Sequence, residues 1–361
     1  MSRLFNFNAG PSTLPLPVLE ETAAELVEYQ GKGMSIIEMS HRSKEYDKVH
    51  GDATQVITEL LGLSDRHKVL MIGGGATMQF GMVPMNLLGE GKSCDFTVTG
   101  AWAKKAYADA KKLGSVNVLF DGKDDNFTGL PDPAGLKVSP GAAYLHMTSN
   151  ETIGGIQWHA WPETGDVPIV CDMSSDIMSR SIPVEKFGII YAGAQKNLGP
   201  AGVTLIIIRS DVLERCSDDV PAYLSYKTHA EKTSLYNTPP VFAIYVMGKV
   251  MSWVKRSGGI EAMEKLADER SGLVYGMIAE SGGFYRSPVA EACRSKMNVV
   301  WRLPTEELEK KFIAEAAEQG MGGLKGHRSV GGCRASMYNA MPVEGAKALA
   351  GFMKDFAKKN G

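Results

Sequence analysis

GIIYAGAQKNLGPAG, residues 188–202, is the stretch on which the reading of this chain turns. It opens on an apolar run, Ile189-Ile190-Tyr191, passes through small residues to Gln195, and delivers a single lysine, Lys196. Asn197-Leu198-Gly199-Pro200-Ala201-Gly202 follows, and its glycines and proline rule out a regular helix. A second apolar run begins at Val203 and continues through Ile208. Lys196 is therefore expected on a tight turn between two buried strands. An ammonium desolvated at such a place has its pKa pushed down and becomes available as a nucleophile or Schiff-base former.

Working outward, the elements on the N-terminal side alternate between strand and helix. Strands are expected over 68–72, 95–99, 117–120, 142–147, 168–171 and 188–192, with helices over 45–61, 78–88 and 103–113 between the earlier ones. Leu19, Ala23, Leu26 and Val27 recur at helical spacing and predict a further helix over 16–30. The alternation argues for an α/β fold, a mostly parallel sheet with helices on both faces. In such sheets the binding crevice lies at the carboxyl ends of the strands. Gly74 to Thr77, Trp102, Thr152, Asp172 and Lys196 all fall at strand ends. Beyond Arg209 the pattern becomes mainly helical, with a strand over 297–303. The chain is divided into an N-terminal arm (1–15), a large domain (16–257) and a smaller α+β C-terminal domain (258–361).

Composition excludes several classes. Of 361 residues, 22% are charged and the net charge is −2, with no basic block to meet a nucleic acid. No apolar run is long enough to span a membrane, and the first fifteen residues do not read as a signal peptide. The five cysteines are dispersed, with no CxxC, and the histidines form no HExxH. Free thiols in a reducing cytoplasm are expected, rather than disulfides or a metal site.

The strand-end residues together fit one chemistry. A lysine forms an imine with an aldehyde, and a carboxylate holds a pyridinium nitrogen protonated. An indole stacks on an aromatic ring, and a glycine turn at a helix N-terminus binds a phosphate through free N–H groups. That inventory matches pyridoxal 5'-phosphate (PLP). Taken singly, Asp172 also reads as a helix cap, Trp102 as core and Thr152 as a turn residue.

The chain resembles the phosphoserine aminotransferases, a family of class V, fold-type I PLP transferases. The resemblance extends from FNFNAGPSTLP (5–15) through MSHRSKE (39–45), YAGAQKNLGPAG (191–202) and YNTPP (236–240) to KGHRSVGGCRASMYNAMP (325–342). It implies that Lys196 carries the Schiff base, Asp172 pairs with the ring nitrogen, Trp102 stacks on the ring and Thr152 bonds near its phenolic oxygen. Ala76, Thr77 and Gln195 would bind the phosphate, joined by Asn237 and Thr238 from the second subunit of a homodimer. Arg334 would take the substrate α-carboxylate. His41, Arg42, His327 and Arg328 would take the phosphate of phosphohydroxypyruvate or the side-chain carboxylate of glutamate. Some family members carry an arginine in the glycine-rich loop; GGGATMQF (73–80) has none, which removes a substrate contact of that kind.

The implied activity is transfer of the glutamate amino group to 3-phosphohydroxypyruvate, giving O-phosphoserine and 2-oxoglutarate. The related phosphorylated four-carbon oxo acid of pyridoxine synthesis is a second acceptor to test. Two other readings remain at this point. A different class V enzyme, such as a desulfurase, needs a catalytic cysteine, for which Cys333 is nearest. A phospholigand-binding protein has no need of Lys196 or Asp172.

Overall fold

The computed structural model describes residues 3–361. The strands are β1 (Phe5–Asn6), β2 (His67–Ile72), β3 (Ser93–Val98), β4 (Ser115–Asp121), β5 (Leu145–Thr148), β6 (Asn150–Glu151), β7 (Ile156–Gln157), β8 (Ile169–Asp172), β9 (Phe187–Gly193), β10 (Thr204–Arg209), β11 (Asn298–Trp301), β12 (Met321–Gly322) and β13 (Cys333–Ser336). The helices are α1 (Leu16–Ala24), α2 (Lys44–Leu61), α3 (Gly75–Leu87), α4 (Ala101–Ala110), α5 (Ser210–Glu214), α6 (Tyr226–Glu231), α7 (Val241–Arg256), α8 (Gly259–Glu280), α9 (Glu306–Glu318) and α10 (Val343–Asn360).

Seven strands form the main sheet in the order β2-β10-β9-β8-β5-β3-β4. All are parallel except β10, which runs antiparallel to both of its neighbours. The exception has a short cause. Parallel neighbours need a crossover of a dozen or more residues, whereas β9 returns as β10 through a turn that closes with the Ala194 N–H donating to the Val203 carbonyl at 3.0 Å. This is the turn that carries Lys196. Because β2 runs parallel to β9, the carboxyl ends of β2, β3, β5, β8 and β9 open on one edge.

Both faces of the sheet are covered, which is why its strands read as continuous apolar runs rather than as an alternation. Ile190, Ala192, Leu205 and Ile207 point to one side, where Ala53 and Ile57 of α2 and Ile244, Met247 and Met251 of α7 meet them. Ile189, Tyr191, Ile206 and Ile208 point to the other, against Phe80 and Val83 of α3 and Ala106 and Ala110 of α4. A separate core gathers Phe312, Leu349, Phe352 and Phe356 over β11 and β13. Helix α8 joins the two bodies: Ile260 and Met263 lie in the large core, Val274 and Ile278 in the small one. The N-terminal segment also belongs to the smaller body. β1 pairs in parallel with β12, and Phe7 is buried in the second core.

One expected element is shorter than its sequence pattern. The helix over 16–30 ends at Ala24. Leu26 and Val27, which supplied half of the apolar stripe, are 39% and 84% exposed, so no packing holds the last turns in place. Glu25 instead takes the Tyr245 hydroxyl and the Lys249 ammonium. Among the described residues no helix is long and apolar enough to cross a membrane, and all five cysteines are free and buried.

Candidate active site

The site is assembled from strand ends. Past β9, the Ala194 carbonyl accepts the Leu198 and Gly199 N–H groups at 3.1 and 2.8 Å, which winds residues 194–199 into a turn and sets Lys196 on its rim. The N-terminal arm holds that rim from above. Ser12 donates its N–H to the Gln195 carbonyl at 3.0 Å and its hydroxyl to the Lys196 carbonyl at 2.5 Å. Gly10, at φ +140, approaches so closely that a Cβ there would stand 3.4 Å from Lys196 Cγ.

Lys196 Nζ donates to the Thr152 hydroxyl at 2.6 Å and lies 5.7 Å from the centroid of the Trp102 ring. Burial pushes the Lys196 ammonium down to about 8; the Asp172 and Glu151 carboxylates oppose that shift, and Arg334 adds to it. Asp172, the last residue of β8, is buried, and desolvation raises its carboxyl against the Ser174 hydrogen bonds and the Lys196 charge. Its Oδ1 accepts the Ser174 N–H at 2.9 Å. No helix follows Asp172, since residues 173–180 form turns, so it does not act as a helix cap. Among the described residues it has no ion-pair partner.

Arg334 arrives from the smaller body on β13 and donates to the Thr152 carbonyl at 3.1 Å. Thr152 thus bridges Lys196 through its hydroxyl and Arg334 through its backbone. His327 is half-buried, and its imidazole is pushed down by burial and then by the nearby charges of Arg334, Arg328 and Lys105. Lys105 also stands 4.3 Å from the Trp102 ring centroid. A cluster of cations therefore lies on the Arg334 side of the site, and Lys105 was not foreseen as one of them.

At the end of β2, Gly74 caps α3 in the left-handed region at φ +99, and no side chain closes the helix N-terminus. The first-turn N–H groups, Ala76 and Thr77 included, are left to bind an anion. A Cβ at Gly74 would stand 2.4 Å from Met78 Sδ, so the turn demands glycine on both counts.

The remaining expected residues are placed differently. Among the described residues no hydrogen bond or ion pair joins His41, Arg42, Asn237 or Thr238 to the Lys196 cluster. His41 and Arg42 sit just before α2, and Asn237 and Thr238 lie exposed on the turn before α7. Besides Lys105, two residues that carry the geometry were missed. Ser12 belongs to a stretch that reads only as an extended arm. Glu151 stands beside Thr152 at a strand end, and that position was the signal available for it. Cys333 is 1% exposed on β13 and its thiol is pushed far up by burial, so it offers no thiolate for desulfuration.

Residues 4–349 match the family model for class-V aminotransferases. A phosphoserine aminotransferase of Geobacillus kaustophilus is 52% identical over 359 residues, covering 99% of each chain. One from Halalkalibacterium halodurans is 50% identical over 356 residues, again covering 99% of both. Among solved structures, the phosphoserine aminotransferase of Bacillus circulans subsp. alkalophilus superposes with a TM-score of 0.98 at 48% identity, covering 99% of each chain. A PLP-bound phosphoserine aminotransferase from Trichomonas vaginalis gives a TM-score of 0.92 at 37% identity, covering 98% of this chain and all of that one. With a sheet of this topology, a lysine turn at its carboxyl edge and matches that span nearly the whole length, the chain belongs to the class-V aminotransferase family.

Proposed function

We propose that this protein is a PLP-dependent phosphoserine transaminase that moves the amino group of L-glutamate to 3-phosphohydroxypyruvate. The observation that carries the reading is the Lys196 amine, lowered to about 8, donating to Thr152 at 2.6 Å in the field of a buried Asp172 that has no ion-pair partner among the described residues. A carboxylate so placed suits a protonated ring nitrogen, and the uncapped first turn of α3 suits a phosphate. The residues present therefore fit pyridoxal phosphate. When bound, the cofactor supplies an electron-withdrawing ring that takes up the electron pair left as the substrate loses its α-proton.

The chain's own groups do the rest. Lys196 is the residue that would be joined to the cofactor and, once displaced, would hold and return the α-proton; an amine near 8 serves both directions. Asp172 would keep the ring nitrogen protonated. Trp102 would stack on the ring and Thr152 would bond near the phenolic oxygen. Ala76, Thr77 and Gln195 would take the phosphate. Arg334, locked to the Thr152 carbonyl, is placed for the α-carboxylate that every amino-acid substrate shares.

The reading includes a homodimer with shared sites. Asn237 and Thr238 are exposed and apart from the Lys196 cluster of their own chain, as residues serving a partner's site would be. Pro239 and Pro240 stiffen the turn that would present them. His41, Arg42, His327 and Arg328 are assigned to the substrate phosphate or the second carboxylate of glutamate. The division at 257/258 is proposed as the boundary of a small domain, with α8 starting just beyond it at Gly259. Buried free thiols suit a cytoplasmic setting.

The test is a visible absorbance scan of purified protein with and without glutamate, followed by a screen of oxo-acid acceptors. A lysine-linked chromophore that glutamate converts, and that phosphohydroxypyruvate restores, is the expected result. Restoration of the same efficiency by uncharged oxo acids would assign a different transaminase. Including the phosphorylated four-carbon acceptor decides whether pyridoxine synthesis is also served.

A further inference from the structure

Helix α4 begins without a cap of its own. Gly100 precedes it and has no side chain to offer, so the donors of the first turn must be met from elsewhere. They are met by Glu151. Its Oε2 accepts the Trp102 N–H at 3.1 Å and its Oε1 accepts the Ala103 N–H at 2.8 Å. The carboxylate is buried, lies across 48 and 49 positions of sequence from its donors, and faces the positive end of the helix dipole.

Gly100 is glycine for space rather than for conformation. Its φ of 173° is ordinary extended backbone, but a Cβ would stand 2.4 Å from Glu151 Cδ and 2.6 Å from Oε2. The chain thus clears room for this carboxylate at the start of α4. Trp102 is half-buried against the core that α3 and α4 cover, and among the described residues its indole Nε1 has no partner. Its ring stands beside Lys196 through that packing and through the placement of its own backbone. The next residue after Glu151 is Thr152, which takes the Lys196 hydrogen bond. One dipeptide therefore addresses the lysine with one residue and the indole with the other.

We propose that Glu151 is a positioning residue of this site: its carboxylate locks the first turn of α4 and so fixes the Trp102 indole beside Lys196. The proposal rests on the reading of Trp102 as the residue that stacks on the cofactor ring. It deepens that reading by naming what holds the stack in place.

The experiment compares wild type, Glu151→Ala, Glu151→Gln, Trp102→Ala and each Glu151 variant combined with Trp102→Ala. PLP affinity is read by titrating the apoproteins, and amide hydrogen exchange is followed at Trp102 and Ala103 without cofactor. Losing this double anchor should weaken PLP binding about tenfold in Glu151→Ala, and by less than about twofold once Trp102 is already Ala and no ring is left to place. Exchange at the two amides should quicken in both Glu151 variants. Should Glu151→Ala not fold, Glu151→Gln, which keeps the volume and one acceptor, carries the same comparison. An undiminished loss in the Trp102→Ala background, or unchanged exchange, overturns the positioning role while leaving the transaminase reading intact. A wild-type protein that takes up no PLP would sink the functional reading instead, and the exchange measurement would still decide whether Glu151 anchors the helix.

Discussion

Lys196 and Thr152 stand 44 positions apart in sequence, yet the lysine Nζ donates to the threonine hydroxyl at 2.6 Å. The contact joins the end of β9 to the segment after β6, and Arg334 fastens the same segment from the smaller body. Lys196→Ala should fold, since the turn is held by backbone bonds from Ala194 and Ser12, but should lose the lysine-linked chromophore and turnover. Absorbance and activity assays decide this, and normal transamination by the variant would remove Lys196 from the chemistry.

Thr152→Val keeps the side-chain shape and deletes the acceptor. A hydrogen bond to a charged group contributes about 1.5–3 kcal/mol, so the protonated amine loses support and its pKa should fall below about 8. The rate at which the apoprotein captures PLP, followed against pH, should show its midpoint move to lower pH. An unmoved midpoint means the hydroxyl does not stabilise the ammonium.

The site should also shape the stability of the apoprotein, with two slopes of opposite sign. Burial raises the Glu151 carboxyl from 4.5 to about 7, so between those values the folded state holds a proton that the unfolded state has lost, and stability falls as pH rises. Lys196 is lowered from 10.5 to about 8, so between those values the unfolded state holds the extra proton, and stability rises with pH. Denaturant midpoints measured across this range should dip near pH 7–8. Glu151→Gln should remove the falling limb and Lys196→Met the rising one; limbs that persist in those variants belong to other groups.

Asp172→Asn removes the negative charge beneath the proposed ring nitrogen while keeping an acceptor for the Ser174 N–H. Loss of one charged interaction there should lower kcat by roughly tenfold or more, with a smaller effect on the KM for glutamate. Steady-state kinetics check this. Unchanged kcat would leave Asp172 as a turn-former that only accepts from Ser174.

Acceptor specificity separates the arginines. Arg334 is buried against Thr152, so Arg334→Ala should depress kcat/KM alike for phosphohydroxypyruvate and for a short uncharged oxo acid. Arg42→Ala and Arg328→Ala should each cost the phosphorylated acceptor about tenfold and spare the uncharged one. Equal losses with both acceptors would make the His-Arg pairs structural.

The alternation of strand and helix, the glycine turn after β2 and the turn around Lys196 were legible because each rests on local chemistry. Apolar runs bounded by glycine and proline make strands and turns wherever a core accepts them. The resemblance in the motifs from residue 5 to 342 then supplied roles for those strand-end residues. Helix α1 was overread for the same local reason: Leu26 and Val27 have the right spacing, but whether a surface buries them is not written in their own neighbourhood.

By itself, then, the sequence determined the layered α/β class, the lysine turn and the family to which the chain belongs. Only the tertiary structure decided that Ser12 of the arm holds the Lys196 carbonyl, that Glu151 caps α4, and that Arg334 reaches Thr152 from the second body. Each of those contacts joins residues from distant parts of the chain. Their existence depends on strand order and on the packing of one body against another, which a reading of neighbouring residues does not contain.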